Sequence, residues 1–298
     1  AIILVVAVPT QGCSTVSYVM QAGMGQLALY NHERPVEEVL KDPRTPEKIK
    51  ERLAWMPEVR DYVEKELGIK STLNYHTFVD LKRPYVVWSL TSAEAYEVKP
   101  KRWSFPIVGS FPYLGFFKED MLKKWQQREI EEGRDTYVRG VAAYSTIGYL
   151  RDPLLSSMLS KRKQDMVNLI FHETTHTHFY INDEVEFNEQ AASLIGDYGE
   201  RKWLVSTFGA NSQEVKEWSA EREDRRTFGK QISDFAERLK KLYAEIAANS
   251  AEEKKAKKDA AFAEFRKAMA GYIWKSESYK KWISGKFQND FNNNAVLL

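Results

Sequence analysis

Residues 169–180 read LIFHETTHTHFY, and residues 187–199 read FNEQAASLIGDYG. Three of the five histidines in the chain, His172, His176 and His178, fall in the first stretch. His172-Glu173-x-x-His176 is the H-E-x-x-H pattern. On a helix, a step of four puts both imidazoles on one face about a turn apart, so that their nitrogens can occupy two corners of a zinc tetrahedron. Glu173 then leans beside the metal rather than onto it. From there it can take a proton from metal-activated water and pass it to a leaving amine, which makes it the expected general base. The cofactor implied is one zinc ion per chain.

A catalytic zinc normally has three protein ligands and one open position. The continuation that would supply a third histidine needs Gly at 179 and His at 182, whereas Phe179 and Asn182 stand there. The second stretch offers Glu189. Ala192, Gly196 and Gly199 follow it at steps of 3, 4 and 3, a stripe of small residues on its own helix face. Such a stripe lets a second helix come close enough for a short carboxylate arm to reach the metal. Two glycines inside a helix cost about 1 kcal/mol each, so they call for a reason of this kind. Glu184, Glu186 and Asp197 are reserve ligands. His178, two residues past His176, sits on another face and reads as structural. Tyr144 and Tyr180 are candidates for stabilising the oxyanion of the tetrahedral intermediate.

Outward from the motif, Asp152-Pro153 is expected to open the metal-bearing helix, which runs to about Tyr180. Asp183 with Glu186 has capping-box spacing, so a second helix starts there and continues through Trp203. Upstream, Val16 to about Tyr30 is helical, and Thr45-Pro46 starts a helical face that ends at Gly68 and is split by Pro57. Between Tyr85 and Tyr149, runs of β-branched and aromatic residues read as one small sheet, with a crossing helix from Lys118 to Glu132. Downstream, Phe228, Ile232, Phe235, Leu239, Leu242 and Ile246 recur at 4, 3, 4, 3 and 4. Ser250 and Glu253 offer a new capping box, and Phe262, Phe265, Met269 and Tyr272 continue as the second arm of an antiparallel hairpin. The expected fold is α+β and mostly helical: a small sheet roofs two metal-bearing helices and a C-terminal helical hairpin packs beside them. The expected division is 1–12, 13–150 and 151–298, with the last two open to being one domain.

The chain has 298 residues, with 44 Lys plus Arg against 42 Asp plus Glu. That length buries a real core, and the near balance of charge gives no basic field of the kind that holds nucleic acid. Residues 1–9, AIILVVAVP, are too short an apolar run to span a bilayer but match the apolar core of a secretion signal. They lead through Thr10, Gln11 and Gly12 into Cys13-Ser14, an order that resembles a bacterial lipobox and marks Cys13 as a lipidation site. Thr10 stands where that pattern takes an aliphatic residue.

With these residues in place, the chain resembles the bacterial Putative aminopeptidase family, a group of gluzincin-type zinc metallopeptidases with lipoprotein-like N-termini. The resemblance rests on GCSTVSY at 12–18, RPYVVW at 83–88, AYSTIGYLRDPLLSSML at 143–159 and the two stretches quoted first, extended to FNEQAASLIGDYGERKWL at 187–204. It implies a gluzincin-like core, zinc on His172, His176 and Glu189, Glu173 as base, and a protein held by Cys13 to the bilayer of the bacterial cell envelope, facing the periplasm or the exterior. The step from His176 to Glu189 is shorter than in thermolysin-like enzymes or the large aminopeptidases, so their substrate pockets do not transfer. The expected function is zinc-dependent peptide hydrolysis, with aminopeptidase action the first expectation and endopeptidase action left open. The rival is a membrane-anchored scaffold or partner-binding protein with a non-catalytic metal site.

Overall fold

A computed structural model describes residues 10–69, 74–105, 109–143, 151–181, 184–285, 287 and 291–297. The chain opens with α1 (Thr10–Asn31), β1 (Arg34–Pro35), α2 (Val36–Lys41), α3 (Glu47–Leu53), α4 (Met56–Leu67) and β2 (Thr77–Val79). Then come β3 (Val87–Ala93), β4 (Trp103–Phe105), β5 (Gly109–Phe111), β6 (Leu114–Phe116), α5 (Glu119–Glu131), β7 (Asp135–Val141) and β8 (Leu154–Leu155). The rest is helical: α6 (Lys163–His178), α7 (Val185–Phe208), α8 (Gln213–Glu245), α9 (Ala251–Gly271), α10 (Glu277–Ser284) and α11 (Asn293–Leu297). Helix dominates, with short strands beside it, which is an α+β composition.

Two compact units share this chain. One takes the described parts of Ala1–Val87 and Gly140–Ser212, the other those of Trp88–Arg139 and Gln213–Leu298. The chain passes between them at Val87–Trp88, Arg139–Gly140 and Ser212–Gln213, and the expected division at residue 150 falls inside the first unit.

In the first unit Pro57 divides the helical face as its chemistry requires. It lacks an N–H, its ring crowds the carbonyl four residues back, at Leu53, and α3 ends at Leu53. Pro57 then sits in the first turn of α4, where no intrahelical N–H is needed, and Gly68 closes that helix in the left-handed conformation at φ 68°. Val59 and Val63 bury one face of α4.

Helix α6 starts later than the sequence suggests. Asp152-Pro153 does not open it, because the backbone there is bonded sideways: the Asp152 N–H donates to Asn74 Oδ1 at 2.9 Å and its carbonyl accepts the Tyr75 N–H at 2.8 Å. Leu154 and Leu155, both buried, then pair in parallel with Phe78 and Val79. A single 3-10 turn at Met158–Ser160 follows. The helix begins at Lys163, where the Asp165 carboxylate accepts the Arg162 N–H at 3.0 Å as well as its guanidinium. Asp183 lies outside the described residues, so the expected capping box with Glu186 does too. Glu184 occupies the capping position of α7 without a side-chain cap bond.

The single small sheet expected from the sequence is instead three among the described residues, ordered β1-β2-β8, β6-β3-β7 and β4-β5. The first is mixed, with β1 antiparallel and β8 parallel to β2. In the second unit the helical hairpin forms as the heptad spacing predicts. The Ser250–Glu253 capping box starts α9, and Phe235 of α8 stacks on Phe265 of α9 with centroids 4.2 Å apart and planes 5° apart. Phe262, Phe287 and Phe291 extend this aromatic core, and the Tyr243 hydroxyl donates to Asn293 Oδ1 at 2.6 Å to hold α11.

The predicted stripe of small residues lies where α7 meets α6. Ala192 is fully buried, a Cβ at Gly196 would come within 3.0 Å of the Asn168 carbonyl, and one at Gly199 would collide with the Phe171 ring. Asn168 Nδ2 also bridges the two helices, donating to Asp197 and Glu200 at 3.0 Å each. A Gly199→Val substitution is expected to force α7 off α6. The outcome in a urea melt is a loss of about 1–3 kcal/mol, the usual cost of overpacking, together with weaker metal binding. An unchanged midpoint would mean that the helices can separate without penalty.

Candidate metal centre

Helix α6 buries Met166, Val167, Ile170 and Phe171 on its core side, so the polar residues of its last turns are placed by a fixed helix. His172 and His176 turn their rings edge to face, with centroids 4.8 Å apart and planes at 85°. Their Nε2 atoms lie 3.2 Å from each other. Glu189, from the first turns of α7, reaches both: Oε2 is 3.4 Å from His172 Nε2 and Oε1 is 3.4 Å from His176 Nε2. Among the described residues, these three form a grouping of potential ligand atoms that all lie within 4.8 Å of one another. His176 is buried and His172 nearly so, but the Glu189 side chain is 58% exposed, so the cluster is open on the α7 side.

Asn188, the residue before Glu189, holds the start of α7 in place. It is buried, accepts the Ile181 N–H at 2.9 Å and donates to the Ile181 carbonyl at 2.7 Å, so one amide side chain ties the first turn of α7 to the residues just after α6. Thr175 and Thr177 return their hydroxyls to the carbonyls of Phe171 and Thr174.

Burial and charge divide the titrating groups. Glu173 is buried, and desolvation pushes its carboxyl up to about 7, with Glu189 and Asp152 adding to the shift and His172 opposing it. Burial lowers the basicity of His176. In His172 burial acts the same way, but the Glu189 hydrogen bond and the charges of Glu173, Glu189 and Asp197 outweigh it, so the net shift is upward. His176 Nδ1 is buried without a hydrogen-bond partner among the described residues.

The remaining candidates separate. Tyr144 lies outside the described residues. Tyr180 is exposed just past the end of α6. His178 bonds through Nδ1 with the Thr174 carbonyl at 3.0 Å and with the Thr177 hydroxyl at 2.8 Å, a helix-end role in keeping with its sequence reading. Glu184 and Glu186 are exposed, and Asp197 is engaged by Asn168. Cys13 falls in the first turn of α1. Sequence reasoning passed over Asn188 and Tyr75. Asn188 had a signal, as the amide directly before the carboxylate. Tyr75 had none: it is fully buried, its backbone is left-handed at φ 64°, and burial followed by the charges of Glu173 and Asp152 holds its phenol well above the usual range. A bulky residue in that region of backbone space is strained, and its N–H bond to the Asp152 carbonyl fixes it there.

The Glu173 shift carries a stability cost in the metal-free protein. Unfolded, the carboxyl ionises near 4.5; folded, near 7. The folded state therefore binds more protons between those values, and stability falls as pH rises through them. Glu173→Gln removes the cost. Expected is a metal-free variant that is more stable than the parent above pH 7, by up to about 3 kcal/mol, and equal to it near pH 4. Thermal melts in chelator across pH 4–8 measure this; a difference independent of pH would assign the effect to packing.

No curated protein and no solved structure matches the chain. A family model described as Putative aminopeptidase matches residues 17–297, which take in both units and every member of the His172, His176 and Glu189 cluster. With nearly the whole chain covered, this protein belongs to the Putative aminopeptidase family.

Proposed function

We propose that the protein is a zinc-dependent peptide hydrolase whose metal is held by His172, His176 and Glu189. The observation that carries this reading is a set of three separations, 3.2, 3.4 and 3.4 Å, between His172 Nε2, His176 Nε2 and the Glu189 oxygens. Ligands about 2.0–2.1 Å from zinc at tetrahedral angles stand about 3.3 Å from one another, so the donors have the spacing and the chemistry that zinc takes. Three donors leave one coordination position, and the exposure of Glu189 opens the site to solvent. The family assignment supports hydrolysis of peptides.

Zinc bound there supplies a Lewis acid that makes a water molecule acidic near neutral pH. The protein does the rest. Glu173 lies next to His172 in the sequence and is buried, and in the metal-free protein desolvation raises its carboxyl to about 7. It accepts the proton that the water gives up and returns it to the leaving amine. Asn188 and the close contact of α6 with α7 hold the Glu189 arm in reach of both imidazoles. A purely structural zinc would need a fourth protein ligand, and the described cluster has three members. In the same reading the chain acts at the bacterial cell envelope, anchored through Cys13. The sequence order of apolar run, Gly12, Cys13 and Ser14 supports that anchor.

Zinc content of depleted and refilled protein, measured by mass spectrometry, is expected to approach one ion per chain. Glu189→Ala is expected to weaken zinc binding by at least about 100-fold, beyond what loss of an outer hydrogen-bond partner costs. Glu173→Gln should keep the zinc and lose hydrolysis of a mixed peptide library. A parent chain that takes up no zinc would refute the proposal.

A further inference from the structure

Helix α1 turns an apolar stripe outward. Its 22 residues contain no Asp, Glu, Lys or Arg. The side packed on the protein carries Leu29 and Gln21, 5% and 6% exposed, with Gln26 and Tyr18 partly covered beside them, whereas Met20, Met24 and Leu27 stand 59–63% exposed with Val19 next to them. These four residues recur at the spacing of one helix face. A helix face bathed in water normally carries charged and polar residues. An uncharged helix that turns Met20, Met24 and Leu27 outward is suited to an apolar medium on that side.

We propose that the outer face of α1 lies in the surface of a lipid bilayer, with Met20, Met24, Leu27 and Val19 inserted among the acyl chains. Two observations select lipid over a protein partner. The face is four side chains spread over nine residues, about 13 Å of helix, too little for the roughly 800 Å² that each partner of a stable dimer buries. It carries no charge to steer or register a protein partner, whereas insertion into lipid needs neither complementary shape nor complementary charge. α1 is too polar to cross the membrane and does not qualify as a span, so it lies along the surface. This contact is separate from the anchor proposed at Cys13 and from the metal centre, and it stands without either.

The test uses the full chain with Cys13→Ser, which rules out acylation, and large unilamellar vesicles of phosphatidylcholine. Expected is co-flotation with these neutral vesicles that persists in high salt, and at least a tenfold drop in the partition coefficient for a variant carrying Met20→Gln, Met24→Gln and Leu27→Gln with an unchanged far-UV circular dichroism spectrum. A second readout does not depend on the folding of that triple variant. An environment-sensitive fluorophore on Met24→Cys should shift to shorter wavelength on adding vesicles, and the same label on Lys48→Cys, at an exposed position of α3, should not. Absence of both flotation and shift overturns the proposal. So does binding confined to anionic vesicles and abolished by salt, which would assign adhesion to basic residues elsewhere. Self-association in sedimentation that the triple variant abolishes, without flotation, would assign the face to a second copy of the chain. Zinc uptake is expected to be the same in all these variants, so failure here leaves the peptidase reading standing.

Discussion

The closeness of α6 and α7 is the constraint on which the centre depends. A glutamate arm is short, and Glu189 touches two imidazoles on another helix only because nothing larger than hydrogen or methyl separates the helices at residues 192, 196 and 199. Phe171 fills the space that Gly199 leaves, and Asn168 ties the same interface with hydrogen bonds to Asp197 and Glu200. The glycines weaken α7 as an isolated helix, and packing against α6 has to offset that. Local helix strength has been exchanged for proximity between helices, and the clustering of His172, His176 and Glu189 is what the exchange produces.

Burial of Glu173 is the second requirement, and it works against stability. A carboxyl kept from water beside two histidines, Glu189 and Asp152 has little to stabilise its charge without a cation. A divalent ion on the neighbouring donors would supply that charge and reverse the local pKa pattern. The unpartnered Nδ1 of His176 departs from the usual pattern, in which a histidine ligand has its second nitrogen bonded and its tautomer fixed. The buried carboxyl is awkward in an ordinary protein interior and is accounted for by the metal site proposed above.

Much of this was legible in the residues themselves. The spacing of His172 and His176, the small-residue face below Glu189, the break at Pro57 and the two arms joined at Ser250 are local patterns, and local patterns survive folding. What failed was non-local. Asp152-Pro153 looks like a helix start, and only its pairing with Asn74 and Tyr75, far away in sequence, shows why the chain stays extended there. The region read as one sheet, Tyr85 to Tyr149, holds two among the described residues, and the sheet of β1, β2 and β8 went unread because strands of two or three residues carry almost no periodicity. Tyr75 was missed because a left-handed backbone at a tyrosine is imposed by tertiary contacts and has no signature in sequence.

The interleaving of the two units has a consequence for how the chain reaches this structure. Neither unit is a continuous segment, since each encloses a stretch of the other. During synthesis, the first unit is incomplete until Ser212 has emerged, and by then Trp88–Arg139 has been waiting for α8 to α11, which are made last. That puts long loop closures ahead of the contacts that reward them, the condition under which folding is slow and apolar surface stays exposed. The Phe235–Phe265 hairpin, built from neighbours in sequence, is the part able to form quickly once it appears, and it provides the surface on which the earlier strands of its unit can settle.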